Sequence, residues 1–185
     1  SQQKTGEILT IENVNSTNLG LVTVPVHATA FNNLGAFQFS ISYNPAILTY
    51  VDAINWYTGI TAVTINSSNP GKISFVWAAD TPITIPDNTF FELKFTAIDY
   101  GTSTIAWTDD PSPREFSDWD GNIFEPTYNN GIVNIGGVQS SILVNTPNGG
   151  ENWQVGSVHN ITWTSSGVTN VKIEYTINNG STWST

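Results

Sequence analysis

Between Asp109 and Tyr128 the chain gathers its densest set of hard oxygen ligands. Asp109 and Asp110 open the stretch, Asp118, Asp120 and Asn122 follow at alternate positions, and Glu125 lies beyond. Calcium takes about six to eight such oxygens, and loops between strands commonly supply them. The Asp-x-Asp-x-Asn spacing matches the start of an EF-hand loop. Its twelfth position, however, is Asn129 rather than a bidentate glutamate, and no flanking helices are expected. Asp109, Asp110, Asp118, Asp120 and Asn122 are therefore the candidate metal ligands, with calcium the ion they would suit. The plainer account is a solvated loop of turn-forming Asp and Gly, and no cofactor is required.

Other chemistry finds little support. The two histidines, His27 and His159, stand far apart and there is no Cys, so neither zinc-ligand spacing nor thiolate chemistry is present. No serine sits in a Gly-x-Ser-x-Gly turn, and the glycines of 131–137 lack the lysine and helix of a phosphate loop. Glu115 and Glu125 could be nominated as a glycosidase pair, but nothing in the sequence sets them across a cleft. The expectation is a protein that is not an enzyme.

Aromatic residues suggest a second kind of site. Trp56, Tyr57, Trp119, Phe124 and Tyr128 fall in segments read as loops, where flat rings can stack on sugar faces. Trp56, Tyr57, Trp119 and Tyr128 are the candidate carbohydrate-binding residues. The competing account is that each ring caps an end of the core.

These residues must be held by strands. Phe37, Phe39, Ile41 and Tyr43 alternate with Gln38, Ser40 and Ser42, a period of two that puts large apolar groups on one face and small polar ones on the other. Asn44-Pro45 ends that strand. Similar alternation reads strands at 7–14, at 21–30 with Val22, Val24, Val26 and Ala28 inward, at 72–78, at 89–98 and at 101–108. Pro25 should mark an edge or a bulge. Segment 80–88 holds two prolines and reads as a loop, and 132–135 as a closing strand. Many short strands with turn signals between them, and no amphipathic helix, indicate an all-β sandwich.

Composition agrees. Of 185 residues 39% are hydrophobic, including 9 Phe and 7 Trp, so a packed core can form, while only 11% are charged. A net charge of −10 argues against nucleic acid as a partner. No apolar run is long enough to span a bilayer, so membrane insertion is not expected. Met is absent even at position 1, which favours a processed start, and no signal peptide is present in the chain.

The run Gly35-Ala36-Phe37-Gln38-Phe39, then Tyr43-Asn44-Pro45 and Leu48, resembles the G-F-x-F-x-x-x-Y-(D/N)-P-x-x-L core of the cohesin family. Val22-Thr23-Val24-Pro25-Val26 before it and Ile132–Ile135 after it are similar to that family's opening and closing strands. The resemblance implies a jelly-roll β-sandwich over residues 1–136 that binds a partner helix pair, the dockerin, on extracellular scaffolds. The gripping face would include Gln38, Ser40, Ser42 and Asp80. Well-studied cohesins carry Asp and Asn on the central strand, where this chain has Ala36 and Gln38. The acidic residue they often carry further on corresponds to Ala79, with Asp80 adjacent.

Residues 137–141 read as a small, polar linker. The run from Pro147 to Trp153, with Ile161-Thr162-Trp163-Thr164, Val171–Tyr175 and Asn178-Asn179-Gly180, resembles an immunoglobulin-like module of secreted bacterial surface proteins. Residues 142–185 are about half the roughly 100 residues such a sandwich needs. The expectation is an incomplete module that continues beyond Thr185, or that docks on the first domain or on a second copy. The leading functional reading is thus a non-catalytic interaction module, extracellular or at the cell surface, whose partner is a dockerin-like protein or a second copy. The alternatives are a polysaccharide-binding module, and a structural subunit of a fibre or surface layer completed by strand exchange.

Overall fold

The computed structural model describes residues 6–137 and 140–185. By internal contacts the chain divides into two compact units, Ser1–Gly137 and Val138–Thr185. Of the expected linker 137–141, residues 138 and 139 lie outside the described residues.

The first unit is built on one long pair of strands. β3 (Gly20–Ser42) and β6 (Lys72–Ala97) run antiparallel from Gly20 opposite Ala97 to Ser42 opposite Lys72. The outer half of this ribbon is flanked by β1 (Ile8–Ile11) on the β3 side and β4 (Leu48–Ile54) on the β6 side. Its inner half is flanked by β5 (Thr64–Asn66) on the β6 side. On the β3 side, β7 (Gly101–Thr108) pairs with Ser40–Ser42 and β8 (Glu115–Asp118) takes over along Leu34–Gln38. β2 (Val14–Ser16), β9 (Ile123–Phe124), β10 (Thr127–Asn129) and β11 (Gly131–Ile135) complete the unit, with β11 joining β7 to β2, β10 beside β1, and β9 beside β8.

Crossing from one half to the other demands a change of parity. Side chains alternate along a strand, so a strand that leaves one layer for the facing one must switch which set points inward. In β3 the buried positions run Val22, Val24, Val26 and Ala28, then Phe31 and Leu34, then Phe37, Phe39 and Ile41. The switch is made at Ala30 and Asn33, both at positive φ (63° and 59°), where the ladder also slips. A further slip falls between Val26 and His27, next to Pro25.

The two halves face each other across an aromatic core. Phe39 lies against Phe75 in its own layer and against Phe90, Phe91, Phe116 and Trp107 around it. Phe95 of the other layer meets Tyr43, at 5.1 Å between centroids. Offset and edge-to-face rings of this kind add to the area they remove from water, about 1.5–3 kcal/mol for each fully buried large apolar side chain.

The loop expected at 80–88 is a correction. Ile83, Ile85, Asp87 and Asn88 all pair with β3, and Ile83 and Ile85 are buried. Only Ala79–Pro82 bulges out, four residues opposite Gly35 alone, and Pro82 is tolerated because it lies in that bulge.

In the second unit β12 (Ser141–Thr146) and β13 (Thr162–Ser166) form a two-stranded antiparallel sheet. The strand expected at 171–177 is reduced to a single bridge, Tyr175 opposite Ser184. Leu143, Val155, Val158, Ile177 and Trp183 are all exposed. Sheets of two strands have little capacity to bury such groups.

Candidate partner-binding face

The outward side of the inner half of the ribbon is a shallow, four-strand surface. Gln38 of β3 stands opposite Glu115 of β8 on one side and Val76 of β6 on the other, and Val76 stands opposite Thr64 of β5. Directly opposite residues share a face, so Glu115, Gln38, Val76 and Thr64 form one row across the sheet. A second row is Ser117, Ala36 and Ala78. Between the rows lies a depression of about 200 Å³, bordered by Ala36, Gln38, Val76, Ala78, Glu115 and Ser117. Small side chains leave the backbone close to the surface, which lets another element approach.

The four residues expected to grip a partner fare differently. Gln38 is half-buried in the first row, and Asp80 is exposed in the β6 bulge, two residues on from Ala78. Ser42 is half-buried and its hydroxyl donates to the Ala106 carbonyl at 3.4 Å. Ser40, expected to face outward and free, is fully buried. Its hydroxyl donates to the Ser112 carbonyl (2.9 Å) and accepts from the Ser112 N–H (3.0 Å), because the segment between β7 and β8 runs over it. Val76, Glu115, Ser117 and Thr64 were not singled out for this face by the sequence. Their neighbours on it come from strands far apart in the chain, and only the register joins them.

The acidic residues do not converge. Asp109 takes Arg114 by two hydrogen bonds, to Nε at 2.8 Å and to Nη2 at 3.0 Å, and its Oδ1 also accepts the Arg114 N–H. Those contacts hold the Asp109 carboxyl down at about 2 and raise the Arg114 guanidinium. Asp110 pairs with Lys72 at 3.4 Å. Asp118 accepts the backbone N–H groups of Asp120 and Asn122 and the Asn122 amide, closing its own turn. Asp120 accepts the Asn33 amide at 3.1 Å. Asp109 and Asp110 thus serve one end of the β7–β8 segment and Asp118, Asp120 and Asn122 the turn after β8. Among the described residues no group of three or more His, Cys, Asp or Glu is arranged to hold a metal ion. The surface His27 lies 4.0 Å from Glu12.

The candidate sugar-binding rings mostly pack inward, as the capping account expects. Trp56 stacks on Phe91 at 4.3 Å between centroids, and its indole N–H donates to the Ala53 carbonyl. Tyr57 packs against the core, and Phe124 is buried in β9. Tyr128 lies in β10 beside Trp107, with the Arg114 guanidinium 4.4 Å above its ring. Trp119 remains exposed. These rings fall where they do because the sandwich ends need apolar cover.

Residues 9–135 match the cohesin domain family, well over half of the chain. The chain belongs to the cohesin family. Cohesins are non-catalytic protein-binding modules, and the family's jelly-roll sandwich is the fold seen here. A cohesin from a type I cohesin–dockerin complex of Clostridium thermocellum is 18% identical, with a TM-score of 0.62 over 71% of this chain and 99% of that one. The third cohesin of ScaC from Acetivibrio cellulolyticus, solved with a ScaB dockerin mutated in its C-terminal helix, is 17% identical, with a TM-score of 0.61 over 71% and 99%. A non-cellulosomal cohesin of the archaeon Archaeoglobus fulgidus is 17% identical, with a TM-score of 0.59 over 71% and 91%. No curated protein matches the chain.

Proposed function

We propose that this chain is the receptor half of a non-catalytic docking pair, binding a dockerin-like helical partner through the β5–β6–β3–β8 face. The observation that carries the reading is the row Glu115, Gln38, Val76 and Thr64, with the small residues Ala36, Ala78 and Ser117 beside it. Such a face is flat enough for a helix and offers a polar group, an apolar group and a carboxylate side by side. Two of the similar cohesins were solved with dockerins bound, which supports the same class of partner here. Modules of this kind act in multidomain proteins outside the cell or on its surface, and we assign the chain to that setting.

The test is binding of the whole chain to a panel of dockerin modules, with calcium present and then chelated, beside a Val76→Arg variant. Val76 is exposed, so the variant should fold normally while its guanidinium obstructs the face. A dockerin bound by the natural chain and lost with Val76→Arg is the expected result. Retention on insoluble polysaccharide, with no dockerin bound, would overturn it.

A further inference from the structure

We infer that the second unit pairs with a second copy of itself, face to face, through one side of the β12–β13 sheet. Val144 stands opposite Trp163 and Ile142 opposite Ser165, so these four share a face, while Leu143 and Thr164 lie on the other. Ile161 before β13, and Val171 and Ile173 after it, border the first face, and with Ile142, Val144 and Trp163 they enclose a groove of about 210 Å³. A sheet of two strands is marginal in water until another layer covers it. The six apolar side chains are 37–52% exposed, so among the described residues the unit does not supply that layer itself.

Charge selects a like surface as the occupant. Among the described residues the only ionic groups bordering the groove are Lys172 and Glu174, which neutralise each other at 2.6 Å. No net charge is left on the rim to recruit an acidic or a basic partner, or to push away an identical one. Residues 138–185 carry only Glu151, Lys172 and Glu174, against 13 acidic and 4 basic side chains before them. Copies that meet here thus avoid the repulsion that the acidic first unit would impose. The area also suits a pair. Roughly half of six such side chains gives about 500 Å² per copy and about 1,000 Å² for two, the lower bound of a specific interface and the size of a weak one. Two sheets packed about 10 Å apart form the two layers of a sandwich. A two-fold pair closes on itself, so assembly stops at two copies.

The experiment is sedimentation equilibrium of the whole chain from about 5 μM to about 1 mM. A monomer–dimer equilibrium with a midpoint on the order of 100 μM is expected, as suits so small an interface. Val144→Lys should weaken it about tenfold or more, by burying a charge in the pair. Leu143→Lys, on the far face of the same strand, and Val76→Arg, on the first unit, should pair like the natural chain. Because the chain has no Cys, Ser165→Cys can carry a lone nitroxide. Facing sheets put two such labels within about 25 Å of each other, and labels on Thr164→Cys farther apart. A chain monomeric throughout, a dimer indifferent to Val144→Lys, labels at 164 closer than those at 165, or growth beyond two copies would each overturn the pairing. Loss of the dimer on Val76→Arg would overturn it too, by placing the contact on the docking face, whose partner binding is read separately.

Discussion

The Ser40 hydroxyl and the Ser112 main chain hold each other from both sides, at 2.9 Å and 3.0 Å. β7 leaves β3 at Ser40 and β8 joins it again at Gln38, so the segment between has no ladder partner of its own. One side-chain oxygen supplies the missing donor and acceptor. Ser40→Ala should therefore lower stability by about 1–2 kcal/mol, since it strands two main-chain groups in a part-buried place. Urea unfolding with an unchanged denaturant slope would confirm that, and an unchanged midpoint would show that water replaces the hydroxyl.

Gly35 faces the Ala79–Pro82 bulge on one side and the end of β8 on the other. A Cβ there would lie 2.5 Å from the Asp118 carbonyl oxygen and 2.7 Å from the Trp119 Cα, both main-chain atoms with little room to yield. Gly35→Ala should cost about 1–3 kcal/mol in thermal or urea unfolding. Gly136→Ala, with nothing within 4 Å, serves as the neutral control.

The Asp109–Arg114 pair sets an acid limit. Its folded-state carboxyl, at about 2, lies below the ordinary 3.8. The pairing thus adds stability above about pH 4 and loses it as pH falls toward 2. A carbon-detected titration of the Asp109 carboxyl should give the low midpoint. In Arg114→Gln the midpoint should rise toward 3.8 without quite reaching it, because the residue's main-chain N–H still donates. A midpoint unmoved by the substitution would remove the guanidinium as the cause.

Burial, first, and then the charge of Asp52 push the Tyr50 hydroxyl up beyond the ordinary tyrosine range. Burial and the charge of Glu125 do the same for Tyr128. A group raised in the folded state stabilises below its unfolded value, near 10, and that contribution is lost as pH climbs through the folded value. Tyr50→Phe should leave the absorbance titration of the folded protein unchanged through the ordinary range. A lost fraction of the signal near pH 10 would mean that Tyr50 is open to solvent.

The strands of the sandwich were legible because alternation is a local signal. Phe37, Phe39 and Ile41, or Phe91, Leu93 and Phe95, declare a buried face without reference to the rest of the chain. The passage through 80–88 was harder, since Asp80, Pro82 and Pro86 outweighed the short alternation of Ile83 and Ile85. Serines 40 and 42 look the same in sequence whether water or a distant segment covers them, and what covers Ser40 comes from 72 residues later. Whether Trp56 stacks on a sugar or caps the core stays open in sequence for a like reason, because the groove it fills is made by Phe37, Phe75, Phe90 and Phe91 from two other strands. The candidate face shares this limit. Glu115, Gln38, Val76 and Thr64 become neighbours only through register.

The ribbon of β3 and β6 also governs how the first unit comes apart. Each of its strands belongs to both layers, so neither layer can peel away without tearing the backbone pairing of the other. Loss of structure should then be all-or-none across the unit, with amide exchange in both layers sharing one opening free energy. Assembly has a direction too. The end at Ser42 and Lys72 closes the shortest loop, and from there the pairing can zip outward toward Gly20 and Ala97, each step spanning a longer stretch of chain already drawn together.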